Sequence, residues 1–442
     1  MANLEDYALK SLHLAKMTGV MMGVHAIRDS FLLMHTGVGC KYKTASQIAQ
    51  HDWATHPNKK EGWTQVGDRA VIKGSSERIG VFARSWAERR NPGFMAVVSA
   101  LFLELTGEDF SDAVRKAAAE EGFPCPMQFI STGGAPGDFF TGYGELLQSV
   151  AKSIDWSSEE RRPGEVSIMG HMFTRYESDQ RADIAQIKGL LKALGLAAGP
   201  IFLSGSSYAE LARAGGSEHN LAFPYVPRKS ARRIKKITGR EWTPVHLPIG
   251  VAGTSRWLRE VTEITGADKG RCESYIEAQT RKVRDQASKI RERYAGQPVA
   301  VIAEAPLAAG LCSMLDEFGF RPMFVGIRDK SLGNETLFRD WLERDGVTLP
   351  EGAEVIVRPS LRQIRERFIQ MVDTRDITGV FASSTDLNLF QNLPMRRYQP
   401  WQIQVGFPMT HYHVTYAIPT FGYAGVVSMA QRILDRLLNG HA

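Results

Sequence analysis

Short apolar segments alternate with longer segments of helical periodicity along almost the whole of this chain. Residues 31–35, 94–99, 127–130 and 200–203 are short, largely apolar runs of the kind that form buried strands. Residues 109–121 carry apolar side chains at the spacing of one helix face, and another helix is predicted from Lys41. Strands that alternate with helices form parallel sheets, and those helices cover both faces of each sheet. The pattern therefore predicts an α/β fold.

The alternation falls into three blocks, which predicts three Rossmann-like domains with parallel sheets. Residues 156–164 are polar, end in Pro-Gly and are typical of a linker. Residues 268–294 form a long charged stretch with few helix breakers, which predicts a helix that bridges two domains. The predicted domains are an N-terminal one at 1–160, a middle one at 161–295 and a C-terminal one at 296–442.

Charge and hydropathy narrow the functional classes. The N-terminal residues are acidic and lack the pattern of a signal peptide, and no apolar run is long enough to span a bilayer. We therefore expect a cytoplasmic protein without a membrane span. The net charge is +6, and its densest part is a basic cluster. Such a cluster is typical of a solvated helix face, and without interleaved aromatic residues it does not indicate nucleic-acid binding. The cluster consists of Arg228, Lys229, Arg232, Arg233, Lys235 and Lys236.

Four cysteines lie far apart in the sequence, at Cys40, Cys125, Cys272 and Cys312, and none belongs to a CxxC pair. In a cytosolic chain this spacing argues against a disulfide framework. It also excludes a compact local motif that would supply four thiolates to an iron–sulfur cluster. Any metal would therefore take its ligands from distant parts of the fold or from more than one chain.

Parallel sheets bind ligands at the carboxyl ends of their strands, and residues 37–40, 383–385 and 406–408 are predicted to lie there. In the first of these segments, Gly37 and Gly39 precede Cys40. Glycines at these positions would let the backbone approach a bulky ligand closely, with its amides directed at sulfur. Taken alone, however, the turn favours a buried cysteine with a structural role.

Five segments change that interpretation. They are residues 19–40, 99–110, 131–144, 247–258 and 406–408 with 421–425. In this order, and over nearly the whole chain, they resemble the signature segments of nitrogenase component 1 subunits. The second and the last segments look more like the β-type than the α-type subunit. The resemblance implies a nitrogenase component 1-like fold in which the domain at 1–160 binds a metal cluster.

The departures from that family are as informative as the matches. Family members with an eight-iron P-cluster use three cysteines in each subunit, whereas Ala15 and Leu101 stand here at the first and third positions. The resemblance therefore implies that Cys40 alone ligates metal, in a 4Fe-4S cluster whose other thiolates come from an α-type subunit. The cofactor-binding residues that it implies are Gly37, Gly39 and Glu104.

The resemblance implies an oxidoreductase component. The chain would be the β-type subunit of a nitrogenase-like α2β2 heterotetramer, which receives electrons from a separate ATP-hydrolysing iron–sulfur reductase homodimer. The absence of a Walker A sequence agrees with ATP hydrolysis on that partner. One alternative is a non-catalytic scaffold subunit for nitrogenase cofactor assembly. Another is a periplasmic-binding-like sensor without metal, against which the Cys40 motif and the lack of a signal pattern argue.

Other polar residues have two interpretations each. Glu104, Glu108 and Asp109 could form an acidic cluster, but favourable charge at a helix N-terminus is the commoner reason for such a run. His411 and His413 lie on a loop near the C-terminus and could ligate a cofactor or donate protons. Such a pair is more often solvated loop surface, and the large cofactor of this family belongs to the α-type subunit. The remaining three cysteines are predicted to be structural.

Overall fold

The structure is a computed structural model that describes residues 15–37, 39, 60–133, 137–157, 160–172, 178–329, 331–332, 335–388, 400–407 and 416–439. The chain divides into two compact units. The first unit consists of residues 14–176 together with 198–243. The second unit contains residues 177–197 together with 244–442.

A sheet of four parallel strands lies in the first unit. Every residue of its two central strands is buried, as expected for apolar strands that are covered on both faces. The strands are β1 (Ser30–His35), β2 (Glu61–Trp63), β3 (Phe94–Ser99) and β4 (Met127–Ile130), in the order β2-β1-β3-β4. The helices of this region are α1 (Lys16–His25), α2 (Asp68–Lys73), α3 (Glu77–Arg90), α4 (Leu101–Glu104), α5 (Phe110–Ala118) and α6 (Phe139–Ser153).

A second sheet follows in the chain, with β5 and β7 paired in parallel at its centre. Its strands are β5 (Arg162–Met169), β6 (Ala197–Ile201), β7 (Ser217–Ala222) and β8 (Thr243–Pro244), in the order β6-β5-β7-β8. The helices that accompany them are α7 (Ser178–Ala193), α8 (Tyr208–Ala212) and α9 (Arg228–Thr238), with a 3-10 turn at Arg213–Gly216.

The third sheet has five parallel strands and lies in the second unit. Its strands are β9 (Pro298–Ala303), β10 (Arg321–Ile327), β11 (Glu354–Val357), β12 (Gly379–Ala382) and β13 (Trp401–Gln404), in the order β11-β10-β9-β12-β13. The strand order reverses between β9 and β12, as in doubly wound folds. The helices are α10 (Gly250–Thr265), α11 (Lys269–Tyr294), α12 (Ala305–Glu317), α13 (Glu335–Arg344), α14 (Leu361–Arg375), α15 (Ser384–Asn388) and α16 (Gly422–Asn439).

The α/β fold with parallel sheets is confirmed, and the long charged stretch is the helix Lys269–Tyr294. The strand predicted at 200–203 lies earlier, at Ala197–Ile201. The helix predicted from Lys41 lies outside the described residues, and the three domain boundaries remain a prediction. Among the helices that the structure describes, none has the length and apolar composition needed to cross a bilayer.

Helix α7 shows how the two units alternate along the chain. Its carboxylate at Asp183 accepts hydrogen bonds from the backbone N–H groups of Thr420 and Phe421, at 2.6 Å and 2.9 Å. Near its carboxyl end, the guanidinium of Arg271 donates to the carbonyl of Ala193 at 2.6 Å. These bonds tie α7 to residues far downstream in sequence, within the second unit.

Two helices of the first unit approach each other so closely that only glycine fits between them. A Cβ atom on Gly19 of α1 would lie 1.8 Å from the carbonyl oxygen of Phe139, and one on Gly142 of α6 would lie 1.9 Å from that of Lys16. Helix α1 is buried on almost all sides, and Lys16 forms an ion pair with Glu145 at 2.7 Å. The contact therefore fixes the beginning of α1 against the beginning of α6.

In the second unit, the N-terminus of α10 is capped by a carboxylate from another helix. Ile249 at the N-cap offers no side-chain hydrogen bond. Instead, Glu317 of α12 accepts the backbone N–H groups of Val251 and Ala252 at 2.8 Å and 2.7 Å. Burial raises the pKa of Glu317 to about 7, although the two N–H groups act in the opposite direction.

Candidate functional site

The carboxyl ends of β1, β2, β3 and β4 meet at one edge of the first sheet, because the four strands are parallel. Hydrogen bonds continue past the strand ends: the N–H of Ala100 donates to the carbonyl of His35, and that of Val66 donates to Thr36, both at 3.1 Å. We call this edge, with residues 36, 37, 39, 64–66, 99–105 and 131–133, the carboxyl edge. It is where ligands bind in open parallel sheets.

The predicted ligand loop begins at the carboxyl edge. A Cβ atom on Gly37 would lie 3.2 Å from the carbonyl oxygen of Val66, so this position has little room for a side chain. Gly39 is exposed, and a Cβ atom there would meet nothing within 4 Å. Cys40 lies outside the described residues, so its role as a metal ligand stays a prediction. Thr36 before the loop is fully buried, and its hydroxyl has no hydrogen-bond partner among the described residues.

Glu104 joins the ends of β3 and β4. Its carboxylate accepts hydrogen bonds from the hydroxyls of Ser99 and Ser131, at 2.5 Å and 2.7 Å, and from the backbone N–H groups of Thr132 and Gly133, both at 3.0 Å. Burial raises the pKa of this carboxyl, but the four hydrogen bonds outweigh burial and hold the pKa below its ordinary value. Glu104 is therefore an ionised group that fixes the loop after β4.

The other two acidic residues of the predicted cluster have separate structural roles. Glu108 accepts the backbone N–H groups of Ser75 and Ser76, both at 2.8 Å, just before helix α3 begins. Asp109 is the N-cap of α5 and accepts the N–H of Asp112 at 2.9 Å. Both carboxylates therefore accept hydrogen bonds at a helix N-terminus, which is a common role for acidic side chains.

His35 at the end of β1 belongs to a buried hydrogen-bonded chain. Its Nδ1 lies 2.9 Å from the hydroxyl of Thr64, and its Nε2 lies 3.0 Å from that of Ser75. The Ser75 hydroxyl donates to Glu108 at 3.0 Å, so it accepts its bond from Nε2. A nucleophilic serine would instead donate to histidine. Burial lowers the pKa of His35 to about 4, so the ring is neutral at pH 7.

An exposed apolar turn stands beside the glycine loop. Leu101, Phe102 and Leu105 are 55%, 42% and 77% exposed, whereas Leu103 between them is fully buried. The ring of Phe102 would lie 3.9 Å from a Cβ atom on Gly37. We call Leu101, Phe102 and Leu105 the apolar turn. Exposed apolar side chains that cluster in this way mark a surface that contacts a partner.

The remaining cysteines have no features of metal ligands. Cys125, Cys272 and Cys312 are all buried and free. Burial raises the pKa of Cys125 to about 11 and also raises that of Cys312, which disfavours the thiolate that binds metal. Among the described residues, no group of three or more His, Cys, Asp or Glu side chains is arranged to hold a metal ion.

The carboxyl ends of the third sheet are occupied by internal hydrogen bonds. Ser383 donates to Asp386 at 2.9 Å, and Ser384 donates to Gln404 at 3.0 Å. Gly406 has a φ of 69°, which favours glycine. His411 and His413 lie outside the described residues, so neither of their two interpretations is tested.

Sequence reasoning missed the chain of bonds around His35 and the apolar turn. The partners of His35 come from segments about 30 and 40 positions away, and no local pattern relates them. The apolar turn did carry a signal. A run of four large apolar residues within five positions directly after a buried strand exceeds what one short turn can bury.

Comparison with known proteins shows which proteins this chain resembles in sequence and fold. The family model of nitrogenase component 1 type oxidoreductases matches residues 15–438. The chain is 23% identical to the nitrogenase molybdenum-iron protein beta chain of Methanothermobacter thermautotrophicus, over 95% of this chain and 92% of that protein. It is 24% identical to one chain of the light-independent protochlorophyllide reductase of Rhodopseudomonas palustris, over 62% of this chain and 52% of that protein.

Solved structures give the same fold. The structure of nitrogenase Cp1 at pH 6.5 superposes with a TM-score of 0.79 at 17% identity, and the match covers 97% of this chain and 93% of that one. Nitrogenase Cp1 at pH 5 superposes with a TM-score of 0.71 at 15% identity, over 96% and 88% of the two chains. Because the family model spans nearly the whole sequence, the chain belongs to the family of nitrogenase component 1 type oxidoreductases.

Proposed function

We propose that the chain is the β-type subunit of a nitrogenase-like reductase and that Cys40 contributes one thiolate to a 4Fe-4S cluster shared with an α-type subunit. The two subunits would form an α2β2 heterotetramer in the cytoplasm. A separate ATP-hydrolysing iron–sulfur reductase homodimer would deliver the electrons. The observation that carries this proposal is that Gly37, just before Cys40 in the sequence, lies beside the apolar turn at the carboxyl edge.

The donor atoms at the carboxyl edge fit a shared cluster and do not fit a cluster held by this chain alone. Ala15 and Leu101, at the two positions where the resemblance expects cysteine, are exposed and have no donor atom. His35 and Glu104 use their polar atoms in hydrogen bonds within the chain. A single thiolate from Cys40 therefore requires that other ligands come from a partner.

A bound iron–sulfur cluster would supply one-electron transfer. The chain's own residues would prepare its surroundings. The glycines before Cys40 leave room for backbone amides to approach sulfur, and such hydrogen bonds help to set a cluster's potential. Glu104 holds residues 131–133 beside Leu101, since a Cβ atom on Gly133 would lie 2.7 Å from the Leu101 Cα. The apolar turn would exclude water from the shared site.

The apolar turn supports an obligate partner at this edge. Permanent subunit interfaces are more apolar than ordinary protein surface. Three large apolar side chains within five residues match that composition, and they follow β3 directly. We therefore place the α-type subunit against the apolar turn.

A reductase is favoured over the scaffold alternative. The relatives described above are named as a nitrogenase and a reductase, and neither name refers to cofactor assembly. In a reductase, the carboxyl edge would take part in electron transfer during every turnover. In a scaffold, it would only hold an assembly intermediate.

Anaerobic co-purification with the α-type subunit tests the proposal. We expect about four irons per αβ pair and a reduced-cluster EPR signal that Cys40→Ala abolishes or alters. Cys272→Ala is the control, because Cys272 is buried within helix α11 in the second unit. Its iron content and spectrum should match those of the native complex.

Two results would contradict the proposal. An iron-free native complex that Cys40→Ala does not change would leave only the fold. About eight irons per pair, with most of the signal retained in Cys40→Ala, would show that the iron is held by ligands other than Cys40, in this chain or in the partner.

A further inference from the structure

Thr36 carries a hydroxyl that the described part of the chain leaves without a partner. Its side chain is fully buried, and the hydroxyl oxygen makes no hydrogen bond with any described residue. The backbone at this position is fixed, because the carbonyl of Thr36 accepts the N–H of Val66 at 3.1 Å. The hydroxyl is therefore held at the end of β1, one residue before Gly37.

The other hydroxyls of the carboxyl edge all have partners within the chain. Each makes a hydrogen bond with a histidine ring, a carboxylate or a backbone carbonyl, at distances between 2.5 Å and 2.9 Å. These hydroxyls belong to Thr64, Ser99, Ser131 and Thr132. Buried polar groups are normally paired in this way, so the hydroxyl of Thr36 is the exception that needs an explanation.

Packing does not explain a hydroxyl at this position. Valine has nearly the shape of threonine and is equally well suited to the end of a strand. A valine would fill the same space without the free-energy cost of taking a hydroxyl out of water and leaving it unpaired. The hydroxyl therefore indicates a hydrogen-bond acceptor that the described chain does not supply.

The position of Thr36 gives this hydroxyl its significance. Thr262 also has an unpaired buried hydroxyl among the described residues, but it lies inside helix α10 of the second unit. Thr36 lies instead where the parallel strands end. Val66 after β2 is bonded to it, and Ala100 after β3 is bonded to the preceding residue, His35. This is the place where parallel sheets bind ligands.

The hydroxyl of Thr36 faces away from the hydrogen-bonded chain around His35. Phe31, Leu33 and His35 alternate along β1 and face helices α3 and α5. Thr36 follows one position later and therefore faces the other side of the sheet. Its acceptor is thus not part of the chain of bonds that runs from His35 to Glu108.

A sulfur atom fits this acceptor better than a water molecule does. A buried water needs two or more polar partners, and the neighbouring hydroxyls are already engaged. Sulfide and thiolate sulfur accept hydrogen bonds and are the acceptors that an iron–sulfur cluster presents. Cys40 follows Thr36 by four residues, so no more than about 14 Å of extended chain separates them.

We propose that the hydroxyl of Thr36 donates a hydrogen bond to a sulfur atom of the shared iron–sulfur cluster and thereby raises its reduction potential. The inference rests on the proposed function, which supplies the sulfur. A donor at sulfur stabilises the negative charge that a cluster gains on reduction. Because this donor is fully buried, water does not compete with it.

Redox titration of the iron-loaded complex with the α-type subunit tests the inference, with the EPR signal of the reduced cluster as the readout. Thr36→Val removes the hydroxyl and keeps the shape of the side chain, whereas Thr36→Ser keeps the hydroxyl. Thr262→Val is the matched control, because it removes an unpaired buried hydroxyl from the second unit. The iron content of each complex is measured before titration.

We expect Thr36→Val to hold the native amount of iron and to have a lower potential. The equilibrium constant for reduction should fall roughly two- to tenfold, and a tenfold fall corresponds to about 59 mV for one electron. Thr36→Ser and Thr262→Val should both keep a potential close to the native one. A native or raised potential in Thr36→Val, or an equal fall in Thr262→Val, would overturn the inference. An equal fall in Thr36→Ser would also overturn it, because packing would then explain the change.

A second pair of variants serves if Thr36→Val fails to load iron. Thr36→Ala and Thr36→Ser differ only by the hydroxyl oxygen, so a lower potential in Thr36→Ala supports the inference and equal potentials overturn it. Failure of the proposed function has a different signature, which is an iron-free native complex. Failure of this inference appears instead in an iron-loaded complex whose potential does not depend on the hydroxyl of Thr36.

Discussion

One carboxylate organises the carboxyl edge. Glu104 binds two hydroxyls and two backbone N–H groups, so its oxygens already have four partners within the chain. The sequence placed Glu104 near the cofactor through resemblance alone. Its four partners come from the ends of two neighbouring strands, and only the folded sheet brings them together. The geometry makes Glu104 a positioning residue of the site.

The environment of Glu317 predicts how the stability of the folded chain depends on pH. The pKa of this carboxyl is raised from an ordinary 4.5 to about 7, so the folded chain holds the proton more tightly than the unfolded chain. Between these two values the folded state binds more protons, and the free energy of unfolding therefore falls as pH rises. Glu317→Gln should remove that fall, because glutamine is neutral at every pH and keeps one acceptor oxygen for the helix N-terminus.

Denaturant unfolding at pH 5 and pH 8 checks this prediction. The free energy of unfolding of Glu317→Gln minus that of the native chain should be larger at pH 8 than at pH 5. Glu263→Gln, at an exposed glutamate of helix α10, is the control and should show no such change. An equal difference between native chain and Glu317→Gln at both pH values would contradict the prediction.

The close contact between helices α1 and α6 predicts that a larger side chain at Gly19 destabilises the fold. Gly19→Ala would place a methyl group 1.8 Å from the backbone oxygen of Phe139, so one helix would have to move. We expect a loss of about 1–3 kcal/mol in the free energy of unfolding, as for other overpacked interiors. Gly189→Ala in the exposed part of α7 meets nothing within 4 Å and should instead stabilise by about 0.5–1 kcal/mol.

Both glycine variants can be compared in a single denaturation experiment. If Gly19→Ala were as stable as Gly189→Ala, the two helices would not be in backbone contact as described. Iron content of the complex should also fall in Gly19→Ala, because the displaced helices adjoin the carboxyl edge.

The strands that sequence predicted are those with local signals. Residues 94–99 and 127–130 are largely apolar runs, and both are strands in the structure. The strands at Glu61–Trp63 and Trp401–Gln404 were missed, because they have three or four residues, at least half of them polar or glycine. These two segments form strands because β2 pairs with β1 and β13 pairs with β12. Such tertiary pairing overrides weak local preference.

The same distinction applies to the candidate site. Its position at strand ends followed from the parallel sheet, and Gly37 and Glu104 do lie at that edge. The fold brings Ser75 and Thr64 to His35, and no spacing in the sequence indicates those contacts. The exposure of the apolar turn is a property of the folded surface.

For the whole molecule, the apolar turn predicts how the complex assembles. Leu105→Asp would bury a carboxylate at the proposed subunit interface, which is costly without a partner charge. We expect the variant chain to lose its α-type partner during co-purification. The control is Leu438→Asp on helix α16, where the leucine is 58% exposed in the second unit.

Both substitutions replace exposed leucines, so each chain should fold alone, as circular dichroism can verify. If the two variants retained the α-type partner equally well, the apolar turn would not be the subunit interface.

The placement of helix α7 has a consequence for how a ribosome makes this protein. The helix emerges before residue 198, but the residues that hold it, Arg271 and Thr420, are synthesised much later. Meanwhile the chain on both sides of α7 completes the first unit, which needs residues up to 243. Helix α7 therefore cannot pack in its final position until nearly the whole polypeptide has been made, although the chain on both sides of it already belongs to the first unit. A truncated transcript would leave it without its docking partners, and no single proteolytic cut between 177 and 243 would release either unit intact.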